Sequence, residues 1–461
     1  MKTGRHLLSL LAILGLVSCG PAAKPVDGEL LITSALIVVP ETGEVSDPSD
    51  ILISDGRIAR ITAAGENETT GGIETIDAAG LYLLPGLIDA HAHIGDGGLE
   101  ENSEQDRRQA LAQFVRYGVT SIFVPGGGGG NDAQLRDWKA FCAAGTGRCP
   151  RLFGSGSLVT AYGSHPITTI WGLPADADPK LIEARGAVGI TEEQSVDRLI
   201  REKLLAKVDA LKIVVEDGPG GFAPKPRLSR AKVAEICTAA HAGGLRVYAH
   251  ISLAEHVVDV VDGGCDGIMH APDDVIPDDT LREMAERKVY YVATLSLFDA
   301  LMDQGAGRRT QDDYALAGVS PKALESLRND EYWATAPESP EVIAEWQHAL
   351  GWNLRRAAEL GVPIALGTDT NNPQVFPGYA VHEELELMVE AGLTEAEALE
   401  SATVTAAGFL QREDELGRIR PGYRADIVAL RDNPLEGIRN TRSIEFVLTG
   451  GVKKSDVVSM P

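Results

Sequence analysis

Two textures alternate along the chain. Residues 30–39, 50–54 and 57–61 are short runs rich in Leu, Ile and Val, separated by Pro, Gly and Asp. This is the pattern of brief strands joined by turns. The same texture returns at 425–430 and 444–448, where a Gly450-Gly451 turn follows. Between these ends, β-prone runs fall at 81–94, 118–124, 152–159, 211–215, 246–250, 267–270, 289–295 and 363–367. Helix-like stretches such as 191–208, 229–242 and 340–360 separate most of them. Eight strands alternating with helices predict an α/β protein built on a parallel (β/α)8 TIM barrel. The two β-rich ends are expected to pair into one small sheet domain beside it.

Three segments break the pattern. Residues 298–339 are long and polar and include Arg308 and Arg309. Loops of that length are often functional, so the segment reads as a lid over the barrel mouth or, equally, as a surface insertion. The glycine run 126–130 follows a strand, but no Lys-Ser or Lys-Thr comes after it, so it reads as a sharp turn and not a phosphate loop. At the start, Lys2 and Arg5 precede an apolar run over 7–17 that ends in Leu16-Val17-Ser18-Cys19. That run suits the core of a secretory signal. A small residue before a cysteine resembles a bacterial lipobox, in which cleavage leaves Cys19 as a lipid-modified terminus. The alternative is a plain signal with a chance cysteine. The expected location is the bacterial cell envelope, lipid-anchored and periplasmic or outer-membrane-associated.

Composition narrows the function classes. The chain has 461 residues, is 44% hydrophobic and carries a formal charge of −25. Wholesale disorder is excluded by the hydrophobic share. The acidity argues against nucleic acid and anionic membrane surfaces as partners, since both call for excess Lys and Arg. Of the cysteines beyond Cys19, Cys142 and Cys149 bracket a glycine-containing turn and could close a small loop. Cys237 and Cys265 read as buried thiols. No Cys-x-x-Cys spacing occurs, so cysteine-based zinc or redox motifs are not supported.

Candidate chemistry gathers at strand ends. The first barrel strand ends in Asp89-Ala90-His91-Ala92-His93, and residues two apart on a strand share a face. At the C-terminal end of a barrel strand that face points into the mouth. In the fourth strand, Leu211, Ile213 and Val215 can face the helices, which turns Lys212 inward, where an unpaired ammonium is costly. The fifth and sixth strands end at His250 and His270, and the eighth in Gly367-Thr368-Asp369. Only ten histidines exist, and four of them fall at the ends of three strands.

On these segments the chain resembles the amidohydrolase superfamily of metal-dependent hydrolases, especially its imidazolonepropionase-like and prolidase-like branch. The stretch Pro85-Gly86-Leu87-Ile88-Asp89-Ala90-His91-Ala92-His93 carries the likeness, with Asp209-Ala210-Leu211-Lys212-Ile213, the His250 and His270 pair and Gly367-Thr368-Asp369. Downstream, His382-Glu383-Glu384-Leu385, Leu416-Gly417-Arg418-Ile419 and Pro421-Gly422-Tyr423-Arg424-Ala425-Asp426-Ile427 extend it. The resemblance implies a composite β-sandwich from both ends and a site for two divalent ions, zinc being the expected metal. His91, His93 and Asp369 would hold one ion and His250 and His270 the other. Lys212, N-carboxylated, would bridge both, because a carbamate is an anion with two oxygens where a free ammonium has no lone pair. A bridging hydroxide would attack the scissile carbonyl, and Asp369 would pass its proton to the leaving amine. His165, after the third strand, is a candidate substrate contact to the carbonyl oxygen.

The expected divisions are a lipoprotein signal at 1–18, a tether at 19–27, β-sandwich parts at 28–84 and 415–461, and the barrel at 85–414. The expected reaction is hydrolysis of amide bonds in small substrates, either dipeptides of prolidase type or N-acyl amino acids. Cyclic amides, deamination and lactones remain alternatives, as does an inactive binding lipoprotein. A homo-oligomer is possible. His382 is expected to be structural or to sit outside the ligand shell, and His241, His256 and His348 to be surface or packing residues.

Overall fold

The structure is a computed structural model that describes residues 30–66, 72–97, 101–127, 130–144, 148–218, 224–305, 316–317, 319–326 and 340–456. The expected signal, Cys19 and the tether lie outside the described residues, as do Arg308, Arg309 and most of the expected lid.

Strands from both chain ends share one nine-stranded sheet. Ile427–Leu430 runs antiparallel to Tyr82–Pro85, with Ile427 opposite Pro85 and Leu430 opposite Tyr82. Tyr82–Pro85 is parallel to Leu30–Val39, which pairs in turn with Ser49–Ser54. Alternation explains how this sheet is covered. Ile32, Ile51, Ile53, Leu83, Ile427, Ala429 and Phe446 form one apolar cluster. Val428, Leu430, Ile444 and Val447 belong to a second cluster with Val115 of the Glu104–Arg116 helix. Residues one apart on a strand face opposite sides, so both faces of this end of the sheet are buried.

The central region is mixed α/β. Leu87–Asp89, Val119–Val124 and Arg151–Gly154 are parallel neighbours. Ala210–Val214, Arg246–His250, Gly267–Met269 and Tyr290–Val292 form a second parallel series in chain order. The Asp209 N–H donates to the Gly154 carbonyl at 2.9 Å, joining the two series. At the far side, Ala365 N–H donates to Tyr291 O at 3.0 Å and Ala90 N–H to Leu366 O at 2.8 Å. The last segment therefore lies between the last strand and the first. Among the described residues, no helix is long and apolar enough to cross a membrane.

Several expected elements divide differently. The run 81–94 splits into Tyr82–Pro85, in the sheet of the ends, and Leu87–Asp89, in the parallel series. Gly86 marks the change, for a Cβ there would lie 2.2 Å from Thr120 Oγ1. The run 152–159 becomes two strands, Arg151–Gly154 and Leu158–Ala161, and the second pairs with an unforeseen strand, Ala187–Ile190. The run 289–295 ends early, at Val292, and a helix, Leu295–Gly305, begins at its last residue and runs into the start of the expected lid.

The cysteine reading needs correction. Cys237 and Cys265 are not free thiols but a disulfide, with Cα atoms 5.5 Å apart, and Cys142 and Cys149 form a second. The Arg230–Ala242 helix carries Cys237 and packs against the Ala254–Asp262 helix, whose following turn carries Cys265. That packing brings together two residues separated by 28 positions.

Candidate metal centre

The parallel strands deliver every residue singled out for chemistry to one cleft of about 480 Å³. Its lining includes His91, His93, His165, Lys212, His250, His270 and Asp369. Asp369 Oδ1 lies 3.3 Å from His91 Nε2 and 3.1 Å from His93 Nε2, and Asp369 Oδ2 lies 3.9 Å from His270 Nδ1. The imidazoles continue across the cleft: His91 and His270 have centroids 4.7 Å apart, His270 and His250 4.4 Å, and His250 and His165 5.0 Å.

A residue not foreseen from sequence joins them. Glu216 Oε2 is 2.9 Å from His250 Nε2, and Glu216 Oε1 is 3.2 Å from His165 Nδ1. The signal was present in the alternation, since Lys212, Val214 and Glu216 all line the cleft while Leu211, Ile213 and Val215 enter the apolar core. The period of two simply runs two residues past the strand. Two groups of ligand atoms result, His91–His270–Asp369 and His165–Glu216–His250, each within 4.8 Å. This grouping cuts across the expected pairing of His250 with His270.

Other histidines lie elsewhere. His382 is buried between Thr441 Oγ1 and the Tyr117 carbonyl, at 2.9 and 3.0 Å. His241 pairs with Asp266, His256 is buried in the Ala254–Asp262 helix, and His348 is exposed.

The backbone behind the cluster is tightly tied. Buried Asp89 accepts the N–H groups of His91 and Thr368 at 3.1 and 3.2 Å and the Thr368 hydroxyl at 2.6 Å. The Asp369 N–H donates to the His91 carbonyl at 2.7 Å. His270 and Asp369 adopt positive φ, 78° and 58°. Such backbone is costly for non-glycine residues and tends to occur at functional sites, where the surroundings impose it.

Burial sets the protonation states. It drives His91 down to about 3 and His165 down to about 4, and His270 also falls well below the usual range. The His91–Asp369 contact is thus that of a neutral imidazole, the form that binds metals. Burial also lowers Lys212 to about 7, against the pull of Asp369 and Glu216. Burial alone would raise both carboxylates, but neighbouring imidazoles outweigh it and leave Glu216 at about 2 and Asp369 well below its usual range.

Residues 82–454 match the model of the amidohydrolase family. The chain belongs to the amidohydrolase family. Among curated relatives it is 23% identical over 470 residues to ochratoxinase from Aspergillus niger, covering 92% of this chain and 86% of that protein. It is 27% identical over 412 residues to imidazolonepropionase from Rubrobacter xylanophilus, covering 84% of this chain and 85% of that protein. Among solved structures it is similar to a Xaa-Pro dipeptidase with methionine bound in the active site, at TM-score 0.72 and 23% identity, over 92% of this chain and 99% of that one. The A. niger ochratoxinase structure matches at TM-score 0.71 and 23% identity, over 92% and 95% of the two chains.

Membership makes the protein a hydrolase of a typically metal-dependent family, and the amidohydrolase cleft passes a physical test of that dependence. Among the described residues, buried His91 Nδ1 and His93 Nδ1 have no hydrogen-bond partner, and Asp369 Oδ1 and Glu216 Oε1 face imidazole nitrogens at 3.1–3.3 Å without completing a hydrogen bond. Buried acceptors left unpaired are expensive. A divalent cation satisfies converging carboxylate and imidazole lone pairs at once, and this donor set suits zinc among other first-row ions.

Proposed function

We propose that this amidohydrolase carries two divalent ions, zinc by preference, and cleaves amide bonds in small substrates such as N-acyl amino acids or dipeptides of prolidase type. One observation carries the reading. Two groups of imidazole and carboxylate face the same cleft, which the fully buried Lys212 also lines. In this reading the joined parallel segments are a (β/α)8 barrel, and the sheet of both chain ends is its companion β-sandwich. Two cystines are compatible with folding outside the cytosol, so we extend the proposal to export and anchoring at Cys19.

His91, His93 and Asp369 would hold one ion and His250 and His270, whose ring centroids are 4.4 Å apart, the other, with Lys212 between them as a carbamate and Glu216 outside the ligand set. A lysine near neutrality has a large free-amine fraction at pH 7, and only the free amine adds carbon dioxide. Bound ions supply Lewis acidity, which polarises the amide carbonyl and acidifies water. Asp369, ionised and fully buried, takes the proton of the attacking water and returns it to the leaving nitrogen. His165 would donate from Nε2 to the substrate carbonyl oxygen while Thr169 Oγ1, 2.7 Å from Nδ1, orients the ring. Glu216 bears on both His165 and His250 and orients them toward the same point.

The test is a screen of metal-quantified protein against a library of N-acyl amino acids and dipeptides. Asp369→Asn should abolish turnover and retain most of the metal, so near-wild-type turnover would remove Asp369 from its role. Intact mass of metal-replete protein under native conditions should show one added carbon dioxide. An unmodified Lys212 in a density map would contradict the bridge.

A further inference from the structure

The cleft has a second chemistry beside the polar cluster. Ile170 and Leu301 are 67% and 47% exposed, and both line it. Among the described residues only five other large apolar side chains are so exposed: Leu181, Leu204, Leu205, Val275 and Val452. None of those lines this cleft. Leu158, Trp171, Leu297 and Phe298 complete the wall. Two exposed apolar side chains on one concave surface, backed by four more, mark a place where a ligand removes them from water.

The wall is attached to the polar cluster on both sides. Ile170 and Trp171 sit in the turn opened by His165-Pro166, where both their N–H groups donate to the Pro166 carbonyl, at 3.1 and 3.0 Å. Leu297, Phe298 and Leu301 lie on the Leu295–Gly305 helix, whose Ser296 hydroxyl donates to the Thr368 carbonyl at 3.2 Å, one residue before Asp369. Both parts of this lining are thus tied to the segments that carry His165 and Asp369. Among the described lining residues, Lys212 is the single Lys or Arg, and it is buried in the polar cluster and not on the wall.

We infer that the cleft selects amides bearing a bulky apolar or aromatic group, which it seats on the wall formed by Leu158, Ile170, Trp171, Leu297, Phe298 and Leu301. The inference rests on the amidohydrolase reading for its reaction, but not for its binding. Fully burying a phenyl side chain is worth about 1.5–3 kcal/mol, or roughly ten- to a hundred-fold in selectivity. A carboxylate on the same wall loses hydration without gaining a partner.

Two measurements test it. In the first, kcat/KM is compared within matched series, N-acetyl-alanine against N-acetyl-phenylalanine and acetyl-glycine against benzoyl-glycine, on metal-loaded full chain. In at least one series the aromatic member should lead by about ten-fold or more, and N-acetyl-aspartate should be the poorest substrate. Ile170→Asp and Leu301→Asp, both at exposed positions, should bring that ratio toward one. In the second, the Asp369→Asn protein is titrated with benzamide and with acetamide by calorimetry, so that turnover plays no part. Benzamide should bind at least about ten-fold tighter, and Ile170→Asp should erase the difference. Equal binding of the two amides, or a preference untouched by both substitutions, overturns the inference. Absence of turnover on every amide overturns the amidohydrolase reading instead, and the calorimetric result still decides the wall.

Discussion

Glu384 offers a stability prediction that can be worked from the structure. It is fully buried on the Tyr379–Glu390 helix, and its two oxygens accept the N–H groups of Leu295 and Ser296 at 2.8 and 2.7 Å. No Lys or Arg pairs with it among the described residues. Burial pushes its carboxyl from 4.5 up to about 8, although the two N–H donors pull the other way. The neutral carboxyl still meets both N–H groups with oxygens, carbonyl and hydroxyl, whereas Gln sets its NH2 against one of them and leaves that N–H unpaired, a loss of about 1–3 kcal/mol. The pH dependence has a definite sign. A carboxyl whose folded pKa lies above its unfolded value stabilises the fold fully below the unfolded value and loses that contribution as pH rises toward the folded one. The window therefore runs from 4.5 to about 8, and at about 1.4 kcal/mol per pH unit it amounts to several kcal/mol. Glu384→Gln has no such titration. In urea unfolding of the metal-saturated proteins, wild type should exceed Glu384→Gln by about 1–3 kcal/mol near pH 5, and the margin should vanish or reverse near about pH 8.5. A margin constant across that range would refute the reasoning. The effect bears on function because the two N–H groups begin the helix that carries Leu297, Phe298 and Leu301 into the cleft.

Two further outcomes follow from close packing and from cross-links. A Cβ at Gly367 would lie 2.5 Å from Val292 Cγ1 and 2.8 Å from His91 Cβ, so Gly367→Ala should displace His91 and weaken metal binding by about 10–100-fold in chelator competition. The Cys237–Cys265 bridge closes a loop of sequence separation 28, so Cys237→Ala with Cys265→Ala should lower unfolding stability by about 3–4 kcal/mol. No loss in denaturant melts would show that the bridge does not form in solution.

Much of this cleft is legible in the sequence alone. Strand periodicity is a local property, so the inward face of a strand can be read from a few residues. That is why His91 with His93, and Lys212 against Leu211 and Ile213, could be placed on the cleft side. Glu216 was missed although it obeys the same alternation, because it lies past the strand end, where a single carboxylate among 67 acidic residues carries no signal of its own. The division of 81–94 at Gly86 is equally hidden, since its two halves pair with different strands, Ile427–Leu430 and Val119–Val124, both distant in sequence.

The sequence by itself determined which residue types stand at strand ends, that two β-rich ends flank a strand–helix alternation, and that four histidines, one lysine and one aspartate suit metal chemistry. Only the tertiary structure decided what those residues meet. It paired Cys237 with Cys265 through helix packing, set Glu216 between His165 and His250, and placed Trp171 and Phe298 in the lining of one cleft. Periodicity tells a side chain which way to face, but its partner across a cleft depends on how distant elements pack, and that is a property of the whole fold.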